Sequence, residues 1–360
     1  MRTILREIRK SPLAVCGVFG VLLFLAYAYP APLLWLRDQF NEKVSKKLSK
    51  NFSEWRQRRE IQWRADEMNA ARELHVEGKL DAAAEKLERL LSHPPKRIYW
   101  PYPGHIRQEL ALVRRDQGRF EDALREVNWL ITREPNYLDF YLTRVEIFFA
   151  MKEWREVLHD CEEVIDRVKD KGKLENSEIS ANYRAWQKHS LAWARMGEYQ
   201  KAEVDIRKII RDAPSDRENY ALLAEVYARQ KDYKQAHKYS LQAFELRTPD
   251  LTDDDDVASW CLVANVLAEF LATCPDASVR DGKQAKQIAE EVLAKSDRFT
   301  FAKTTLAAAY AELGDFEKAV ELQSQFMALP LLHANSSHQQ ARLESYQRKQ
   351  PFRLMRYEEP

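Results

Sequence analysis

MGEYQKAEVDIRKII occupies residues 196–210, and its layout returns three times: EGKLDAAAEKLERLL at 77–91, QGRFEDALREVNWLI at 117–131 and LGDFEKAVELQSQFM at 313–327. Each has a glycine, one linker residue, then Leu, Phe or Tyr, then alanine three positions later. MKEWREVLHDCEEVI (151–165) and QKDYKQAHKYSLQAF (230–244) keep the layout without the glycine. A left-handed residue closing a helix costs least as glycine, so Gly78, Gly118, Gly197 and Gly314 read as helix ends. Leu80, Phe120, Trp154, Tyr199, Tyr233 and Phe316 then open a second helix that folds back on the first. Small residues Ala83, Ala123, Ala202, Ala236 and Ala319 let the two approach closely, and Pro94, Pro135, Pro214 and Pro249 stop the second helix.

Taking each turn residue as position 15 gives repeats at 64–97, 104–137, 138–171, 183–216, 217–250 and 300–333. Position 8, the close-contact site of the first helix, holds Ala71, Ala111, Val145, Ser190, Ala224 and Ala307. This pattern resembles the tetratricopeptide repeat (TPR), a 34-residue helix–turn–helix unit. The resemblance implies an all-α, right-handed superhelical solenoid over 64–333, of about seven repeats. A longer seventh unit at 255–296 begins with a helix carrying Trp260, Leu262, Val266 and Leu267. Its LATCPDASVRDGKQAKQIAEEV (271–292), followed by TLAAAYAELGDFEKAVELQ (305–323) and RLESYQRKQPF (342–352), resembles a bacterial TPR subgroup with an ATCPD…RDG insertion. Phe352 stands where that subgroup usually has Tyr. The residues themselves read the insertion as a helix stop at Pro275, with Asp276 or Asp281 capping the segment after it. Residues 334–360 read as a closing helix and tail.

Composition agrees with a helical body: 45% apolar residues, 31% charged and only 9 glycines among 360 residues. The net charge of +1 hides a split. Residues 1–64 hold 13 Lys/Arg and 5 Asp/Glu, hence +8, which leaves −7 for the remainder. The acidic body has no basic stripe interleaved with aromatics, which argues against nucleic acid. Cys161, Cys261 and Cys274 are far apart and form no C-x-x-C pair, so Cys161 and Cys261 read as small buried residues.

No charge occurs between Lys10 and Arg37. Residues 13–36 are therefore expected to cross a membrane as one helix behind a basic tail, 1–12. Ala26-Tyr27-Ala28 also fits a cleaved signal peptide, with cleavage after Ala28, but apolar residues continue through Leu36. A single-pass inner-membrane protein is expected. The four basic residues of the tail stand against Arg37, Lys43, Lys46, Lys47 and Lys50 on the other flank, which leaves its orientation open. The charge of so short a tail favours the body on the extracytoplasmic side. In the next segment, 37–63, a face of Phe40, Val44, Leu48, Phe52 and Trp55, continuing from Leu36, is bordered by lysines. It reads either as a helix lying on anionic lipid or as one packing on the first repeat or on a second copy of itself.

None of the eight histidines falls in H-E-x-x-H or another metal spacing, and no Walker, dinucleotide or G-x-S-x-G motif occurs. Asp253–Asp256 lacks a calcium-loop framework and reads as charge at a helix N-terminus. Trp186 and Trp193 read as solenoid core. No enzymatic activity and no cofactor are expected. What remains is surface: the resemblance implies ligands on the concave face, at first-helix positions 2, 5, 9, 12 and 13. These supply His105, Gln108, Arg115, Glu146, Phe149, Arg184, Gln187, Arg195, Glu225 and Arg229, with Lys188 beside them. Mixed charge with exposed apolar area suits an extended peptide of a protein partner, though each residue also fits a solvated helix face. The carboxylate clamp of chaperone-adaptor TPRs is absent as a set. Repeat one has Met68 and Arg72 at two of its places, and only Arg184 and Lys188 match its last pair, exchanged. The expected function is a membrane-anchored interaction scaffold; a self-associating assembly factor and a non-catalytic subunit of an enzyme complex are the alternatives.

Overall fold

The computed structural model describes residues 34–93, 103–169, 171, 174–246, 254–295, 299–329 and 336–353. Fifteen helices and no strand occur among the described residues. The expected tail, most of the expected span, the Ala28 site, Cys16, Pro94, Pro249 and Asp253 lie outside them.

The chain divides into two units. The first takes residues 1–69 and 94–102, and the second takes Ala70–His93 and Pro103–Pro360. The first unit holds the larger part of helix α1, Leu34–Val76. No helix break falls at residue 63, where the repeats were expected to begin. The second unit holds the last turns of α1 and then α2 (Leu80–Ser92), α3 (Pro103–Asp116), α4 (Phe120–Arg133), α5 (Leu138–Met151), α6 (Trp154–Lys169) and α7 (Asn176–Arg195). It continues with α8 (Tyr199–Asp212), α9 (Arg217–Arg229), α10 (Tyr233–Glu245), α11 (Asp254–Thr273), α12 (Gly282–Lys295), α13 (Ala302–Glu312), α14 (Phe316–Met327) and α15 (Ser337–Gln347).

The second helices begin where the sequence places them, at Leu80, Phe120, Trp154, Tyr199, Tyr233 and Phe316. The turns before them share one geometry. Gly118 has φ +74°, its N–H reaches Arg115 O, and Arg119 N–H reaches back to Arg114 O, a double closure that satisfies the last carbonyls of α3. The two turns without glycine make the same closure. Lys152 and Lys231 sit at φ 61° and 62°, with Glu153 N bonded to Phe148 O and Asp232 N to Tyr227 O. A side chain in the left-handed region costs about 1 kcal/mol, and the paired carbonyls offset it. α15 ends in this way too, with Lys349 at φ 58° and Gln350 N bonded to Ser345 O.

Close approach within pairs rests on the expected residues. Ala83, Ala123, Ala202, Ala236 and Ala319 are fully buried, as are Ala71, Ala111, Val145, Ser190, Ala224 and Ala307. The core is a series of small clusters, each shared by neighbouring pairs, such as Ala111, Ala123, Val127, Leu130, Phe140 and Ile147. Cys161, Cys261 and Cys274 are free and buried, and burial pushes the Cys161 and Cys261 thiols up, away from reactivity. Residues 256–273 of α11 are long and apolar enough to cross a membrane, but 61% of that stretch is buried inside the structure, as suits a core helix.

The insertion is a structural joint. Asp281 Oδ1 accepts from Lys283 N and Gln284 N and caps α12, while Asp276 Oδ1 accepts from Ser278 N. Arg280 donates to the carbonyls of Cys274 (2.8 Å) and Pro275 (3.0 Å) and, through Nε, to Glu312 at 3.0 Å. Gly282 leaves room for that contact: a Cβ there would stand 3.0 Å from Glu312 Cγ. Glu312 also pairs with Arg353, whose Nη1 donates to Ala272 O at 3.2 Å. Arg342, 1% exposed, pairs with Glu269 of α11, and Tyr346 is fully buried in the cluster around Trp260. The ATCPD…RDG stretch and the closing RL-x-x-Y…PF stretch are thus two halves of one lock across α11 and α13.

Candidate functional site

The first helices α5, α7, α9 and α11 pack side by side and enclose a cleft of about 350 Å³. Its apolar lining comes from Phe149 of α5, Leu191 of α7, Ala221 and Leu222 of α9, and Leu262, Val263 and Val266 of α11. Gln187, Lys188, Arg195, Glu218 and Glu225 supply the polar part. The spacing explains the stripe: 187, 188, 191 and 195 lie on one face of α7, as do 218, 221, 222 and 225 on α9. Leu262 keeps 40% of its surface exposed, high for a leucine so near the core.

Of the residues singled out in the sequence, the cleft gathers Phe149, Gln187, Lys188, Arg195 and Glu225. The others lie elsewhere. His105 bonds to the Tyr137 hydroxyl at 3.2 Å, Gln108 donates to Thr143 Oγ1 at 2.7 Å, and Arg184 pairs with Asp139 at 2.8 Å. Arg115 donates to Asp116 at 2.6 Å and stands 3.9 Å from Glu146. Glu146 in turn takes Lys188 at 2.7 Å, so charges on α3, α5 and α7 form a ladder from helix to helix. Arg229 holds Glu225 at 3.0 Å, and Arg195 approaches the same carboxylate at 4.0 Å. Lys188 and Arg195 both lie over the Phe149 ring, at 5.2 and 5.9 Å from its centroid.

Sequence reasoning missed Leu191, Glu218, Ala221, Leu222, Leu262, Val263 and Val266. Leu191, Glu218 and Ala221 occupy positions 9, 2 and 5 of their repeats, so the position rule pointed to them. Outside the cleft, Trp186 and Trp193 are only partly buried. They meet the two sides of His189 edge-on at 5.7 and 5.8 Å, with Lys208 and Lys201 over their outer faces. His189 Nδ1 lies 2.8 Å from Asp205. Asp256 lies in the first turn of α11 and pairs with Arg217 at 2.6 Å. No group of three metal-ligating side chains occurs among the described residues.

At the other end of the ladder, burial would raise the Asp116 carboxyl, but hydrogen bonds from His75 and Arg115 outweigh it and hold it at about 2, against 3.8 ordinarily. A depressed carboxyl stabilises the fold fully above its ordinary value, and that share is lost as pH falls from near 4 toward 2. At about 1.4 kcal/mol per unit this amounts to at most roughly 2 kcal/mol, less for partial exposure. Asp116→Asn is therefore expected to flatten the loss of urea stability between pH 4 and 2. An unchanged slope would mean that other carboxyls carry it.

A tetratricopeptide-repeat family model matches residues 218–249, the α9–α10 pair. The same helix–turn–helix unit recurs on either side of that match. Among curated proteins it is similar to DnaJ homolog subfamily C member 3 of Bos taurus, 26% identical over 206 residues. That match spans 56% of this chain and 38% of the relative's own length. Among solved structures, a tetratricopeptide repeat protein from Parabacteroides merdae aligns at TM-score 0.48 with 13% identity, over 79% of this chain and 99% of that one. A signal transduction ATPase with a tetratricopeptide repeat sensor from Pyrococcus horikoshii aligns at 0.48 with 15% identity, over 97% and 53%.

Proposed function

We propose that this protein is a membrane-anchored scaffold that binds an extended segment of a partner protein in the α5–α7–α9–α11 cleft, the concave face of its repeats. One observation carries the reading: successive first helices present apolar side chains, Leu191, Leu222, Leu262 and Val266 among them, to one open groove. A groove of this size with an apolar floor and few polar groups is the usual form of a ligand site, and the faces of repeat solenoids are used in this way. Anchoring rests on the uncharged run between Lys10 and Arg37. The positive tail before it favours a single-pass inner-membrane protein with the repeats on the extracytoplasmic side.

A photoreactive amino acid placed at 222 in cells, with one at the exposed Val204 of α8 as control, tests the groove. Discrete adducts at 222 and none at 204 are expected. Adducts equal at both positions would sink the reading, and adducts of twice the chain's own mass would replace the partner by a second copy. Protease added to spheroplasts should digest the repeats; protection would place them in the cytoplasm instead.

Leu222→Asp is expected to abolish partner capture while leaving the helical circular dichroism unchanged. Leu222 is only partly buried, so the change puts a charge on the groove floor without opening the core. Wild-type capture by the folded variant would exclude the groove.

A further inference from the structure

We infer that the groove selects a segment in which a large apolar side chain is followed by a basic one. The inference rests on the groove reading above and adds the chemistry of the ligand. Two separate observations support it, one in the charges of the groove and one in the chain's own tail.

The groove's cations each face a carboxylate of the chain, and one carboxylate is shared. Lys188 pairs with Glu146, and Arg195 faces Glu225, which Arg229 also holds. Glu218 is different: its carboxylate accepts from the Ser259 hydroxyl at 3.0 Å and has no cation among the described residues. Of the two lining carboxylates only Glu218 lacks a cation among the described residues, so a local negative charge sits on the α9–α11 wall while the groove as a whole balances. A basic side chain there gains a charge-assisted hydrogen bond. An acidic one placed there meets the like charge of Glu218 instead. The net −7 of the body after residue 64 favours a basic partner at long range as well.

The tail shows the same recognition carried out within the chain. Leu262 and Val266 line the groove, and Glu269 follows on the same stripe of α11. There the closing segment docks. Phe352 packs against the cluster of Trp260 and Tyr346, and Arg353 reaches Glu312 and the Ala272 carbonyl. An aromatic side chain followed at once by arginine thus engages first helices α11 and α13, with a glutamate as the arginine's partner. The open groove one step earlier offers the same elements: an apolar floor, and Glu218 for the base.

The test uses the full-length chain in non-ionic detergent and fluorescein-labelled peptides read by anisotropy. The probe is GSQPFRSG, with GSQPFQSG, GSQPFESG and GSQPARSG as controls. GSQPFRSG is expected to bind at least tenfold more tightly than the glutamate or alanine peptides. Glu218→Gln should weaken GSQPFRSG about fivefold and leave GSQPFQSG unchanged, a coupling that general loss of structure would not give. If GSQPFESG binds as tightly as GSQPFRSG, and Leu222→Asp abolishes both, the basic preference is overturned while the groove stands. If no peptide binds, or if Leu222→Asp leaves GSQPFRSG binding intact, the groove reading falls with it.

Discussion

Trp260→Ala is expected to lower the stability of the α11–α14 region by about 3–5 kcal/mol, the range for deleting a large aromatic from a packed core. Trp260 is fully buried, with the Phe244 ring 5.8 Å away and Lys295 over its face. It lies where α10, α11 and α12 meet, so the remaining cavity touches three helices and collapses poorly. Helices here pack mainly on their neighbours, so the damage should stay local. Hydrogen exchange should show lost protection across α11–α13 and little change in α3–α6. A uniform loss along the whole chain would mean that the stack unfolds as one block, against its division into a series of small cores.

Glu269→Ala is the second large effect, at about 3–5 kcal/mol. The cost arises because a buried arginine loses its carboxylate. Arg342 is 1% exposed, and Glu269 is its carboxylate partner. The Thr304 carbonyl, 3.5 Å from the same guanidinium, is too distant to replace that charge. The double change Glu269→Ala with Arg342→Met removes both charges and should recover much of the loss in urea denaturation. If the double variant is as unstable as the single one, packing by the Glu269 side chain is responsible instead.

The helix pairs were legible because glycine, linker, aromatic and alanine are local, and each residue has a local reason. The turns at Lys152 and Lys231 show how far that reason extends, since neighbouring carbonyls force the left-handed shape on a residue that does not favour it. The groove was half legible. The position rule named Phe149, Gln187, Arg195 and Glu225, with Lys188 taken as their neighbour, but Leu191, Glu218 and Ala221 at the same rule positions were passed over. Leu262, Val263 and Val266 were beyond it, because the insertion after α11 lengthens that unit and upsets its register. The ladder from Arg115 through Glu146 to Lys188 was not legible, since it depends on which residues of three different helices come level. The joint between Arg280, Glu312 and Arg353 was visible only as two motifs, with nothing in the sequence to say that they meet.

α15 closes like the first helix of another pair, with Lys349 in the turn, yet Pro351, Phe352 and Arg353 then run across α11 and α13 without forming a second helix. An open last pair would present a sticky apolar ledge, and copies could add there end to end. The Arg342–Glu269 and Arg353–Glu312 pairs seat a polar lid on that ledge. Its consequence is colloidal as much as structural: this face of α11 and α13 is taken up by the chain's own arginines rather than offered to another apolar surface.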